Sequence, residues 1–139
     1  MKELLLSYLC MALPYNLQVK AEGDNESYTL LSVYPNKDIV LISTDMSRVY
    51  ATSKVKIDTV KPYLRTMSSM IEEEKREYFS LIGGQQPFDS DFSAYPEEHR
   101  FIYEFDVTNY VKWLISHHFD YIGLIKKGLA IEAPEGMYK

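Results

Sequence analysis

The hydrophobic period of this chain changes abruptly near residue 16, and that change limits the folds open to it. Leu4, Leu5, Leu6, Leu9, Cys10 and Leu13 recur at helical spacing until Pro14, so residues 1–13 read as an amphipathic helix. Leu17, Val19 and Ala21 then alternate with polar residues, and "GDNES" makes a turn. After it come "YTLLSVY" (28–34), "DIVLIST" (38–44), "RVYAT" (48–52) and "KVKI" (54–57), short β-type runs split by "PNK" and "DMS". A helix followed by a β meander over 17–57 predicts an α+β fold. Its sheet is a bent antiparallel one of four to five strands, curling toward an SH3-like small barrel.

The remainder returns to mixed signals. Pro62 ends the last strand, and "KPYLR" (61–65) reads as a turn of irregular helix. Residues 68–82 form a second helix, with Ser69 and Glu72 at capping-box spacing and three glutamates where the macrodipole favours them. Gly83 and Gly84 end it, and residues 83–100 form a long loop with two prolines, the kind of loop that is usually functional. A strand "FIYEFDV" (101–107) follows, then a helix carrying Tyr110, Val111, Leu114 and Ile115 on one face with Thr108 or Asp106 as its cap. Asp120 is placed to cap a short helix "YIGLIKK" ending at Gly128, and "LAIEA" makes a final strand before Pro134. The 139 residues fit a single domain, 1–139.

Charge and composition remove several function classes. The net charge is −5, and residues 68–139 hold thirteen Asp/Glu against seven Lys/Arg, which argues against a protein gripping duplex nucleic acid. One cysteine, Cys10, leaves no intramolecular disulfide and no cysteine metal cluster, and its apolar neighbours suggest a small buried hydrophobe. Glu3 and the poor cleavage site "VKA" argue against a signal peptide, and no stretch approaches the ~20 apolar residues of a membrane span. A soluble, cytoplasmic protein without membrane contact is expected. Twelve tyrosines suit stacking on flat ligands and interfaces, hence an expected homo-oligomer of low order, although a strand-rich fold also favours Tyr.

Four constellations could carry chemistry. In "HHFDY", adjacent His117 and His118 point about 100° apart on a helix and cannot jointly hold a metal without Asp120 or His99. Histidines in a last helical turn also complement the macrodipole, and Asp120 also reads as a cap. If "KPYLR" is extended, Lys61, Tyr63 and Arg65 share one side and form a pair of cations with an aromatic, fit to hold phosphate and stack a base. Asp89, Asp91, Glu97, Glu98 and His99 crowd the long loop, where solvated charges are the simpler reading. "IGG" (82–84) lacks the lysine and spacing of a phosphate loop and is a helix stop. No cofactor or metal is expected.

Three stretches carry a resemblance: "LCMALPYNLQV" (9–19), "KPYLRTMSSMIEEEK" (61–75) and "HHFDYIGLIKKGLAIEAPEGMY" (117–138). They are similar to small uncharacterised proteins of bacteriophages and prophages of gut bacteria, over about a third of the chain. The sequence departs from their pattern at Thr66, where proline is usual, at Ile71, where threonine caps the helix, and at Ile122, where arginine is usual. The resemblance implies a phage accessory protein and brings no catalytic residues with it. The leading expectation is a non-enzymatic counter-defence protein that sequesters a nucleotide-derived immune signal of the host bacterium. Its candidate ligand-binding residues are Lys61, Tyr63, Arg65, His117, His118, Asp120 and Tyr121. The alternatives are an inhibitor or adaptor binding a host protein through the acidic C-terminal half, and a hydrolase built on His117, His118 and Asp120.

Overall fold

The computed structural model describes residues 2–43, 52–81 and 107–138. Helix α1 (Lys2–Ala12) buries Leu5, Tyr8, Leu9 and Ala12, one stripe at i, i+3, i+4 and i+7. Cys10 lies off that stripe and is exposed, which corrects the expectation of a buried thiol. Pro14 lies within a 3₁₀ turn (Leu13–Tyr15) capped by Asn16 with φ 56°, a left-handed conformation that Asn tolerates better than most residues.

Strands β1 (Gln18–Ala21), β2 (Ser27–Tyr34), β3 (Ile39–Ser43), β4 (Thr52–Lys56), β5 (Val60–Leu64) and β6 (Ile131–Glu132) form one sheet in the order β4-β3-β2-β1-β5-β6. The first five pair antiparallel. β6 joins β5 in parallel, through Tyr63↔Ile131 and Leu64↔Glu132, so the sheet is mixed. "KPYLR" is strand rather than irregular helix up to Leu64, with Pro62 opposite Val19. Of the expected strand 48–52, only Thr52 lies within the described residues, as the first residue of β4.

A three-residue 3₁₀ turn, Ile57–Thr59, links β4 to β5, although β3, β2 and β1 stand between them in the sheet. Four chain steps reach at most about 14 Å, whereas four flat inter-strand spacings need about 19 Å. The sheet therefore curls, as expected for a small SH3-like barrel. Among the described residues β4 and β5 share no ladder, so the roll stays open on that side. Fully buried Ile57 sits at the bend, its amide donating to Asp38 O at 2.9 Å, and a bulge between Leu30 and Ser32 adds local twist.

Helix α2 (Glu72–Leu81) starts later than expected, after a separate 3₁₀ turn at Met67–Ser69. Ile71 is its N-cap: Ile71 O accepts from Lys75 N at 2.9 Å, and Glu74 Oε1 accepts from Ile71 N at 3.0 Å. That is half of a capping box, built on Glu74 rather than Glu72, with no side-chain oxygen at the cap. Helix α3 (Val107–Ser116) packs on α2 through aromatic rings. Tyr78 lies edge-on to Tyr110 (6.0 Å, 81°) and 5.8 Å from Trp113, whose Nε1–H donates to Glu77 at 3.0 Å. Thr108 lies inside the helix rather than at its cap, while Asp106, the expected strand 101–107 up to Asp106, and the loop 83–100 lie outside the described residues.

Tyr8, Tyr78 and Tyr110 are fully buried, and Tyr63 and Tyr121 nearly so. Much of the tyrosine surplus is therefore core. Ile71 is 59% exposed, so Ile71→Thr forfeits little burial and supplies the missing cap oxygen. The substitution is expected to raise stability by about 1 kcal/mol in denaturant titration; a neutral or destabilising result would remove Ile71 from the cap position.

Candidate functional site

Where α3 ends, "HHFDY" becomes a backbone device. His118 N donates to Ile115 O at 3.0 Å and Phe119 N to Leu114 O at 2.9 Å, while His118 has φ 65°. These are the two hydrogen bonds and the left-handed residue of a Schellman motif. Glycine or asparagine normally occupies that position, because a Cβ there costs roughly 1 kcal/mol. The His118 side chain offsets the strain: Nε2–H donates to Tyr15 O at 2.6 Å, and the ring stacks on Tyr138 at 3.6 Å and 11°. With Nε2 donating, the neutral ring keeps an acceptor lone pair on Nδ1. Burial, only partly opposed by the Tyr15 carbonyl, lowers the pKa of His118 below 6.5.

Phe119 continues as an isolated parallel bridge to Arg65, with Arg65 N donating to His118 O and Asp120 N to Arg65 O, both at 2.8 Å. The Arg65 guanidinium lies 4.1 Å over the Phe119 ring. It also forms a bidentate pair with Glu74, at 2.8 and 2.6 Å, in which the two side chains are only 19% and 14% exposed. Burial works to raise the Glu74 pKa, but Arg65 and the Ile71 amide overcome it and leave the carboxyl below its usual value. His117 stacks on Trp113 at 4.1 Å, its Nδ1 2.9 Å from Trp113 O.

Tyr138 closes the other wall. Its hydroxyl accepts from Gln18 N at 2.9 Å and donates to Tyr63 O at 2.7 Å, inserted between β1 and β5 one step beyond the Val19↔Pro62 pair. Burial raises the Tyr138 pKa well above normal, so the hydroxyl stays protonated and bridges the strands.

These groups enclose an open cleft of about 860 Å³ lined by Tyr15, Asn16, Gln18, Arg65, Ile71, Glu74, Ser116, His117, His118, Met137 and Tyr138. Of the expected ligand residues, it gathers Arg65, His117 and His118. Lys61 lines other cavities, so it does not form a phosphate-holding pair with Arg65. Tyr63 is buried at the β1–β5 seam, and Tyr121 is buried with its ring 6.5 Å from Tyr8, so neither lines the cleft. Asp120 accepts from Leu124 N (2.7 Å) and Ile125 N (2.9 Å); it is a cap, although the segment it caps is a series of turns rather than a helix. Among the described residues no hydrogen bond joins either histidine to Asp120, and no group of three His, Cys, Asp or Glu could hold a metal.

Sequence reasoning missed Tyr15, Asn16, Gln18, Glu74 and Tyr138. Only Glu74 had a local signal, its spacing three residues after Ile71. No family profile, no curated protein and no solved structure matches the chain. No helix among the described residues is long and apolar enough to cross a membrane.

Two outcomes follow from His118. A folded pKa below the unfolded 6.5 means its contribution is complete above 6.5 and is lost as pH falls through the folded value. His118→Asn accepts the left-handed backbone without titrating, so its melting temperature should fall less than wild type on mild acidification; parallel profiles would rule out this linkage. His118→Gly should be about 1 kcal/mol more stable than His118→Ala, the reverse of the order inside a helix.

Proposed function

We propose that the protein is a ligand-binding protein that takes a nucleotide-like small molecule in the cleft and releases it unaltered. The observation that carries this reading is the wall chemistry. Two stacked pairs, His118 on Tyr138 and His117 on Trp113, flank a volume of ligand size. Arg65, the only arginine or lysine among the described lining residues, is already neutralised by Glu74. Such a cleft favours a planar ring with hydrogen-bonding edges over a bare polyanion, so recognition rests on the base more than on the phosphate. Taken with the resemblance to bacteriophage and prophage proteins, this supports a counter-defence role in which a nucleotide-derived host signal is sequestered in the host cytoplasm.

Incubation with cyclic and ADP-ribose-type nucleotides should raise the melting temperature, by an amount equivalent to about 2.7 kcal/mol at a hundredfold excess over Kd. Heating the complex should return the nucleotide intact. With Arg65 neutralised, added salt should weaken binding little. His117→Phe keeps the stack on Trp113 while removing the ring nitrogens, and should weaken binding about tenfold, the loss of roughly one hydrogen bond. Recovery of an altered nucleotide would make the protein an enzyme. The absence of any nucleotide effect, with stoichiometric capture of one host protein, would favour the inhibitor or adaptor.

A further inference from the structure

The register of β1 and β5 sets Lys20 directly opposite Lys61. Directly opposed residues of an antiparallel pair project from the same face, with Cβ atoms about 5 Å apart, and like charges there are destabilising. Both lysines line a cavity of about 380 Å³ together with Glu22, Gly23, Asp58 and Thr59. Although Glu22 and Asp58 border the same space, neither ammonium has a carboxylate within ion-pair distance among the described residues; the ion pairs there are Lys2–Asp38, Arg65–Glu74 and Lys75–Glu72. The polar groups of the walls are largely matched: Glu22 N donates to Thr59 O at 2.7 Å, and the Thr59 hydroxyl donates to Lys56 O at 2.7 Å. The charges of the cavity are thus two ammonium groups and two carboxylates, Glu22 and Asp58, none of them in an ion pair among the described residues, and Lys20 also acts electrostatically on Asp24.

We infer that Lys20 and Lys61 form a second binding site, for the phosphate group of a hydroxyl-bearing small molecule of the sugar-phosphate type. Each ammonium is a compact charge with three donors on a flexible stem, so two of them converge on one phosphoryl group through charge-assisted hydrogen bonds. A phosphate dianion can contact both ammonium groups at once, whereas Glu22 and Asp58 border the cavity without reaching ion-pair distance of either. Glu22 and Asp58 set the rest of the selectivity: they accept hydrogen bonds from ligand hydroxyls and repel an extended polyanion. The site is separate from the cleft, since Lys61 and Arg65 stand four positions apart on one extended segment, roughly 13 Å.

The test is a thermal melt in inorganic phosphate and in ribose 5-phosphate, each against chloride at equal ionic strength, for wild type and for Lys20→Gln with Lys61→Gln. Wild type should gain melting temperature with phosphate and gain more with the sugar phosphate. The double variant should lose at least about tenfold in affinity for either, and in chloride alone it should be no less stable than wild type, because the opposed charges are gone. His117→Phe should respond like wild type, so that failure of the cleft reading and failure of this one are told apart. No gain beyond chloride, a gain retained in the double variant, or a double variant less stable in chloride would each overturn the assignment.

Discussion

Two backbone hydrogen bonds of 2.8 Å, from Arg65 N–H to His118 O and from Asp120 N–H to Arg65 O, hold the two halves of the molecule in register. They lock the end of β5 to the end of α3, and so decide where the Arg65 side chain starts. From there the guanidinium lies over Phe119 and pairs with Glu74, which places α2 as well. A buried, bidentate pair of this kind adds little net stability compared with a well-packed apolar pair. Removing either partner, however, strands a charge among aromatic rings, so the arrangement selects one geometry strongly. The cleft is the space left between the elements that meet at this joint.

The helix-to-strand switch near residue 16 and the short turns after it were legible because each is a local pattern. So was the curl, which the three-residue link between β4 and β5 then requires. Asp120 as a cap and the histidines as a helix end were also readable, since caps act over four or five residues. The errors have a common origin in distance along the chain. In "KPYLR" Pro62 breaks the local β signal and leaves irregular and extended backbone both open, and the pairing to β1 and β6 that decides for strand comes from partners far away in sequence. Alternation groups Lys61 with Arg65, but it is silent about which cavity each side chain reaches or whether a carboxylate already holds it. The apolar neighbours of Cys10 suggest burial, but the buried stripe runs through Leu5, Tyr8, Leu9 and Ala12.

The tyrosines show the same limit in composition. Twelve in one chain suggested exposed aromatic surface, but several form the aromatic packing of α2 against α3 and the ground beneath α1. Tyr8 is the least comfortable of these. Among the described residues its buried hydroxyl has no hydrogen-bond partner, and burial raises its pKa well above normal. An unmatched buried hydroxyl costs free energy, here under the turn that carries Asp120 and Tyr121.

The hydroxyl of Tyr138 that bridges β1 and β5 joins residues 120 positions apart. Closing so long a loop is entropically costly before any contact repays it, and folding slows as such non-local contacts come to dominate. The β1–β2–β3 meander, by contrast, needs only short loops. The seam at Tyr138 thus rests on contacts distant in sequence, while the curl rests on neighbouring ones. Amide exchange at Gln18, whose N–H donates to that distant hydroxyl, reports on the intactness of the cleft wall.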